Sequence, residues 1–272
     1  MVNTLALVMA VALVPGANDD ELKISNIRST YGQLGPVRPQ LKVDKVLPGD
    51  IYFVTWDMEP FKLSARGFVK LSLALKVTDS KGHRMIKQDP VESVQVNSLG
   101  GDRVPGFANV IIGSDTAPGL HTMEVTVEDK VGKKVGSFKR DFEILPRGFG
   151  IIRLRTSVDV DGVTSVPPIG VVGQQLFVNF FVIGADTAKG TKAPHISVQM
   201  EVLDEDGKPT LKKPEVVESK EQRKDADALP VSLMLALNRA GKFRVKLTAT
   251  DENNKNVKPV EVSFLVSVHD LK

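Results

Sequence analysis

The chain contains no cysteine in its 272 residues. That excludes thiol catalysis, cysteine-ligated zinc, iron–sulfur clusters, disulfides and a lipidated N-terminal cysteine. It leaves the redox compartment open, because a cysteine-free domain folds in either environment. Any core must therefore be held by apolar packing alone. Trp and Tyr are scarce, one and two respectively, so platforms on which a sugar ring would stack are few. No apolar run approaches the roughly 20 residues of a membrane-spanning helix. Charge of one sign is also missing. Lys and Arg total 36 against 33 Asp and Glu, interspersed, for a net charge of +3, which gives no electrostatic footprint for nucleic acid.

Catalytic spacing is lacking too. There is no GxSxG, no phosphate-binding loop and no dinucleotide fingerprint, and Gly148 and Gly150 do not make one. The four histidines, His83, His121, His195 and His269, stand at no ligand spacing such as HxxxH or HxH. His121 aligns with Phe243 in the repeat described below and is expected in a core or edge position. His83 and His269 are expected at the surface. The chain is read as non-enzymatic, with no cofactor.

What is present is an ordinary globular composition, 42% apolar and 25% charged. The length suits two domains, each able to bury a core. Leu5–Val14 (LALVMAVALV) is an unbroken apolar run followed by Pro15, Gly16 and Ala17 and then acidic Asp19–Glu21. As a helix it would rise about 15 Å, half the hydrocarbon thickness. It fits a signal-peptide core with a small-residue cleavage zone, so residues 1–17 are expected to be removed and the rest exported. No membrane span remains after such cleavage.

The best information is a duplication. Val46–Met58 (VLPGDIYFVTWDM) returns as Val171–Val182 (VVGQQLFVNFFV), with Gly49 on Gly173 at an offset of 124. Tyr52, Val54, Trp56 and Met58 align with Leu176, Val178, Phe180 and Val182, apolar throughout, so this set is expected to face inward. Phe53, Phe177 and Phe181 fall on the opposite face. Val69–Val77 alternates apolar and polar residues, and so does Ile196–Val202, the pattern of half-buried antiparallel strands. Both then turn, at Asp79–Gly82 and Asp204–Gly207. Ala108, Val110 and Ile112 match Leu233, Leu235 and Leu237, and Gly119–Asp129 aligns without gaps to Gly241–Asp251. Arg140 occupies an inward position that is Val262 in the second copy, and is expected to snorkel or to meet a carboxylate. Tyr31–Gln40 (YGQLGPVRPQ) reads as an irregular edge segment. The charged stretch Lys208–Asp227 reads as a solvated loop or short exposed helix.

Short alternating strands, intervening turns and no helical periodicity predict an all-β chain of two tandem antiparallel β-sandwiches, residues 21–146 and 148–268. The short linker Leu145–Gly150 predicts limited motion between them. The closing pattern of each copy (Gly, alternating strand, Asp turn, strand) resembles the last two strands of immunoglobulin-like and fibronectin-III-like sandwiches, over about residues 21–268. It departs from antibody-type domains in having no Cys pair. Segments Arg28–Pro39 (RSTYGQLGPVRP) and Asn97–Gly101 (NSLGG) also resemble ones in a group of exported bacterial proteins built of such tandem domains. The resemblance implies an extracytoplasmic module, periplasmic, envelope-associated or secreted, and no particular activity.

Three functional expectations follow. The first is a binding, adhesion or structural module contacting a protein partner at the cell envelope through Phe53, Phe177 and Phe181, by surface complementarity or by strand addition at an open edge. The alternative is a carbohydrate- or calcium-binding accessory domain. For calcium, the oxygen-rich runs at Asp159 and Asp161 and at Asp204 and Asp206 are the candidates, although turn chemistry accounts for the same residues. For carbohydrate, Tyr31 joins the three phenylalanines as a surface aromatic. A hydrolytic enzyme is a distant third.

Overall fold

The computed structural model describes residues 21–187, 193–220 and 227–271, so the N-terminal apolar run lies outside the described residues. These residues form two β-sandwiches in tandem, with no helix among them. The strands of the first are β1 (Lys23–Thr30), β2 (Asp44–Val46), β3 (Ile51–Glu59), β4 (Phe68–Asp79), β5 (Arg84–Val96), β6 (Val104–Ile111), β7 (Gly119–Asp129) and β8 (Lys134–Ile144). The second repeats the series as β9 (Gly150–Ser157), β10 (Ile169–Val171), β11 (Gln175–Ile183), β12 (His195–Leu203), β13 (Glu215–Lys220), β14 (Ala228–Ala236), β15 (Gly241–Asp251) and β16 (Val260–His269).

Each sandwich lays a five-stranded sheet over a three-stranded one. The orders are β2-β8-β7-β4-β5 over β1-β3-β6, and β10-β16-β15-β12-β13 over β14-β11-β9. Pairing is antiparallel except where β2 meets β8 and β10 meets β16. After β1 or β9 the chain crosses to the five-stranded sheet, where β2 or β10 runs parallel to the last strand of its copy and forms one edge of that sheet.

The inward set expected from the repeat is buried. Tyr52, Val54, Trp56 and Met58 lie in one core, and Leu176, Val178, Phe180 and Val182 in the other. Fully burying each such side chain is worth about 1.5–3 kcal/mol, and in the absence of disulfides these two clusters hold the fold. The duplication extends to the backbone. Gly49 and Gly173 have φ of 90° and 96°, conformations that glycine adopts without strain. Gly49 N donates to the Ile112 carbonyl at 3.0 Å, and Gly173 N to the equivalent Leu237 carbonyl at 2.8 Å. Strands β1 and β9 carry matching register shifts, at which Asn26 and Arg153 take φ of 51° and 52°.

Two local expectations are corrected. Part of the charged stretch 208–227 is neither loop nor helix: Glu215–Lys220 is β13, an edge strand on β12, and residues 221–226 lie outside the described residues. Its exposed positions carry no apolar alternation to mark a strand. For the same reason nothing in the sequence marks β5, thirteen residues long and mostly exposed. The second correction is Tyr31, expected at the surface but only 8% exposed and packed in the core of the second sandwich.

Arg140 sits as expected, half-buried with its guanidinium 3.3 Å from Asp44. His121 is buried, its Nδ1 donating to the Gly119 carbonyl at 2.9 Å. His83 and His269 are exposed.

Gly106 on β6 lies against the indole of Trp56, and a Cβ built there would come within 2.6 Å of Nε1. Gly106→Ala is expected to cost about 1–3 kcal/mol by overpacking and to shift the emission of the chain's single Trp. Denaturation followed by intrinsic fluorescence measures both.

Candidate functional site

The site is built on a joint. Leu47–Asp50 is the turn that leads into β3, and it packs against the first strand of the second sandwich. A Cβ on Gly150 would meet Leu47 Cδ1 at 2.2 Å, and one on Gly49 would meet Ile152 Cδ1 at 3.3 Å. At its end Asp50, 2% exposed, accepts the Ile51 and Arg153 amides on Oδ1, each at 2.8 Å. Its Oδ2 takes Arg38 Nη2 at 2.7 Å. Arg153, turned by the β9 bulge, donates its Nε to the Gly49 carbonyl at 2.8 Å. Arg38 is 7% exposed, bonds the Thr30 and Ile51 carbonyls, and lies 4.1 Å from the centre of the Tyr31 ring. Burial pushes the Tyr31 hydroxyl pKa up, partly offset by the Arg38 charge. One carboxylate thus joins three pieces: the turn, the Gly/Pro-rich segment after β1, and β9.

A second buried polar group lies within the first sandwich. Asp44, 2% exposed, accepts from Tyr52 Oη at 2.7 Å, from Arg140 and from Ser29. Burial raises the Tyr52 pKa far above the ordinary phenol range. A third lies close beneath the surface: Asp57, 9% exposed, accepts from Asn26 at 2.7 Å and pairs with Arg103. Burial alone would raise the Asp57 pKa, but the hydrogen bonds from Arg103 and Asn26, with the charges of Arg103 and Arg28, outweigh it and hold it below the usual range.

Beside the joint opens a cleft of about 980 Å³, lined by both sandwiches. Leu34 and Val37 come from the segment after β1, Phe107 from β6, Val91 from β5, and Ile169 and Leu265 from β10 and β16. All six are large apolar side chains with exposures between 39% and 56%. Arg28 and Arg244, both exposed, line it too. Trp56, 2% exposed, borders it with a buried Nε1 that has no acceptor. A smaller cavity of about 540 Å³ lies in the second sandwich between Met200, Leu211, Met234 and Phe243.

The residues singled out from sequence lie elsewhere. Phe53, Phe177 and Phe181 are half-buried on the outer faces of the three-stranded sheets. Phe53 faces Thr30 and Asn109, Phe177 faces Ser157 and Met234, and Phe181 faces Ile152 and Pro230. None lines the cleft. Among the calcium candidates, Asp159 takes the Val163 and Thr164 amides at 2.8 and 2.7 Å, which lowers its pKa. Asp204 takes those of Asp206 and Lys208. Asp161 and Asp206 are exposed. Turn closure occupies the first carboxylate of each run, and no group of three potential metal ligands gathers among the described residues. Sequence reasoning missed Phe107 and Leu265; their one signal was an apolar residue on the polar phase of an alternating strand.

No protein-family model and no curated protein sequence matches the chain. Among solved structures, the C-terminal domain of the Streptococcus agalactiae AgI/II polypeptide BspA aligns over 90% of this chain and 100% of its own, at 10% identity and a TM-score of 0.29. A red sea bream transglutaminase aligns over 92% of this chain and 31% of its own, at 10% identity and 0.28. A family 123 glycoside hydrolase from Clostridium perfringens aligns over 46% and 27%, at 12% identity and 0.29. Likeness this low assigns none of their properties to this chain.

Asp50→Ala is expected to cost about 3–5 kcal/mol, since it leaves Arg38 buried without a counter-charge and two amides without an acceptor. Arg38→Met should cost less, because Asp50 keeps both amides; urea denaturation of the two variants ranks them. Asp57 gives a pH signature. Its folded pKa is the lower one, so its contribution is complete above the unfolded value of about 3.9 and is lost as pH falls through the folded value. Asp57→Asn is expected to flatten that part of the acid-denaturation curve, read by circular dichroism.

Proposed function

We propose that this chain is a non-enzymatic binding, adhesion or structural module of the cell envelope or the secreted space, with residues 21–146 and 148–268 as its two units, acting through protein–protein contacts. The observation that carries this reading is the cleft, where six partly exposed large apolar side chains from both sandwiches meet on one concave surface. Contiguous apolar surface of that kind marks interaction sites more often than it marks anything else on a monomer. The buried carboxylates support it from the other side. Asp44, Asp50, Asp129 and Asp251 are each engaged by hydrogen bonds from their own sandwich or across the joint, so the strongest polar clusters act in architecture. The apolar run at Leu5–Val14 supports export.

A photo-crosslinking amino acid placed at position 107 or 265, and for comparison at 53 or 177, tests the face. Incubated with an envelope fraction, the first pair is expected to yield a discrete adduct and the second pair none. That adduct should disappear in a Leu34→Asp, Val91→Asp background. Adducts only from 53 or 177 would move the contact to the outer faces of the three-stranded sheets, and an adduct indifferent to the cleft substitutions would remove the cleft from the reading.

A further inference from the structure

We infer that the opening between β6 and β5 receives one extended strand of a partner protein, in which apolar and acidic side chains alternate. The inference rests on the binding-module reading and names the chemistry of its ligand.

The opening follows from the five-over-three layering. In the first sandwich β6 hydrogen-bonds to β3 alone, and its other edge has no strand partner among the described residues. Across from it Leu73 and Val91, an inward-facing pair in register, line the cleft with Gln88, Ser93 and Gln95 of β5; Leu73 packs against the core, and Val91, 52% exposed, stands beyond it. A strand added at the β6 edge would extend the smaller sheet over them. Exposed edges of this kind accept extended peptides through backbone hydrogen bonds, and side-chain pockets set their choice. Trp56 Nε1, buried and without an acceptor, borders the same opening.

A strand presents alternate side chains to opposite faces. One set would meet Leu71, Leu73 and Val91, with Gln88, Ser93 and Gln95 beside them on β5, so its central positions call for apolar residues. The other would lie on the outer side, in the row where Arg28, Thr55 and Phe107 stand abreast and where Arg244 approaches from the second sandwich. Neither Arg28 nor Arg244 forms an ion pair among the described residues; Arg28 makes only a 3.4 Å bond from Nε to the Asn26 carbonyl. Asp57, the one carboxylate on the cleft wall, is already held by Arg103 and Asn26. Two guanidiniums without an ion-pair partner at the rim of the cleft are complementary to carboxylates, with which arginine forms its strongest hydrogen bonds.

The second sandwich supplies an internal comparison. Its β14 edge and β13 overhang enclose the smaller cavity, but the arginine there, Arg239, lies over the Phe243 ring at 4.9 Å. The acidic preference therefore belongs to the first opening. A glycan is the less favoured occupant, because Tyr31, Tyr52 and Trp56 are all buried and offer no stacking platform.

The test uses the full chain and four fluorescent probes: a decapeptide alternating Val and Glu, one alternating Val and Lys, a decapeptide with its five Val and five Glu in separate blocks, and oligogalacturonate. Anisotropy is expected to show binding of the alternating Val–Glu peptide alone. The affinity should fall at least tenfold in Arg28→Glu, Arg244→Glu and drop steeply with salt. Equal binding of the Lys or block peptide, indifference to the arginine substitutions, capture of oligogalacturonate alone, or a dimer of the chain that excludes the peptide would each overturn the inference. If no peptide binds while position 107 still crosslinks to an envelope protein, this inference falls and the binding-module reading stands. If position 107 yields nothing either, both fall.

Discussion

The arrangement of this molecule depends on one buried charge. Asp50 sits at the end of a turn with an Arg38 guanidinium on one oxygen and two backbone amides on the other. A carboxylate taken out of water costs several kcal/mol unless it is paired and its remaining acceptor sites are filled, and here both conditions are met only when the second sandwich is in place. Arg153 supplies the amide that completes the set. The joint is therefore specified by chemistry as well as by the packing of Leu47 on Gly150. It also holds Tyr31 in the second core, and with it the segment carrying Leu34 and Val37.

The cleft is a by-product of that joint and of unequal layers. A five-stranded sheet laid over three strands leaves the inner side of its last strand, Gln88, Val91, Ser93 and Gln95, facing a cleft. Among the described residues the counterpart of β5 in the second copy, β13, has six residues against thirteen. In the first copy that inner side coincides with the neighbouring sandwich and with the segment after β1, so a narrow overhang becomes a walled cavity. Binding surface here comes from what the fold leaves uncovered, while the polar clusters that might be taken for chemistry are engaged in closing turns and pinning strands.

Much of the fold was legible because the chain is written twice. Comparing Tyr52–Met58 with Leu176–Val182 separates the buried phase of a strand from the exposed one without any structure, and Gly49 over Gly173 marks a turn that both copies need. Legibility ended where the copies diverge or where burial leaves no pattern. β5 and β13 are edge strands whose residues meet solvent on most sides, so no alternation reports them. Tyr31 lies in a Gly/Pro-rich segment with no period, and its burial depends on the core of the second sandwich, far along the chain. Phe53 and Phe177 were visible as apolar residues on the wrong phase. Phe107 and Leu265 satisfy the same criterion, but only the tertiary arrangement brings them to one surface.

The turn that carries Asp50 has a counterpart in the second copy, where the aligned residue is Gln174. Its side chain folds back to accept the Val171 amide at 2.9 Å. A contact in which one end of a module grips the beginning of the next is head-to-tail, and such contacts propagate into open filaments when every module carries both halves. Here the gripping carboxylate is present once, and the amide side chain that stands in its place in the second copy is closed on its own turn. Two copies of one fold therefore dock in series here through a contact that the first copy's turn supplies and the second copy's turn does not.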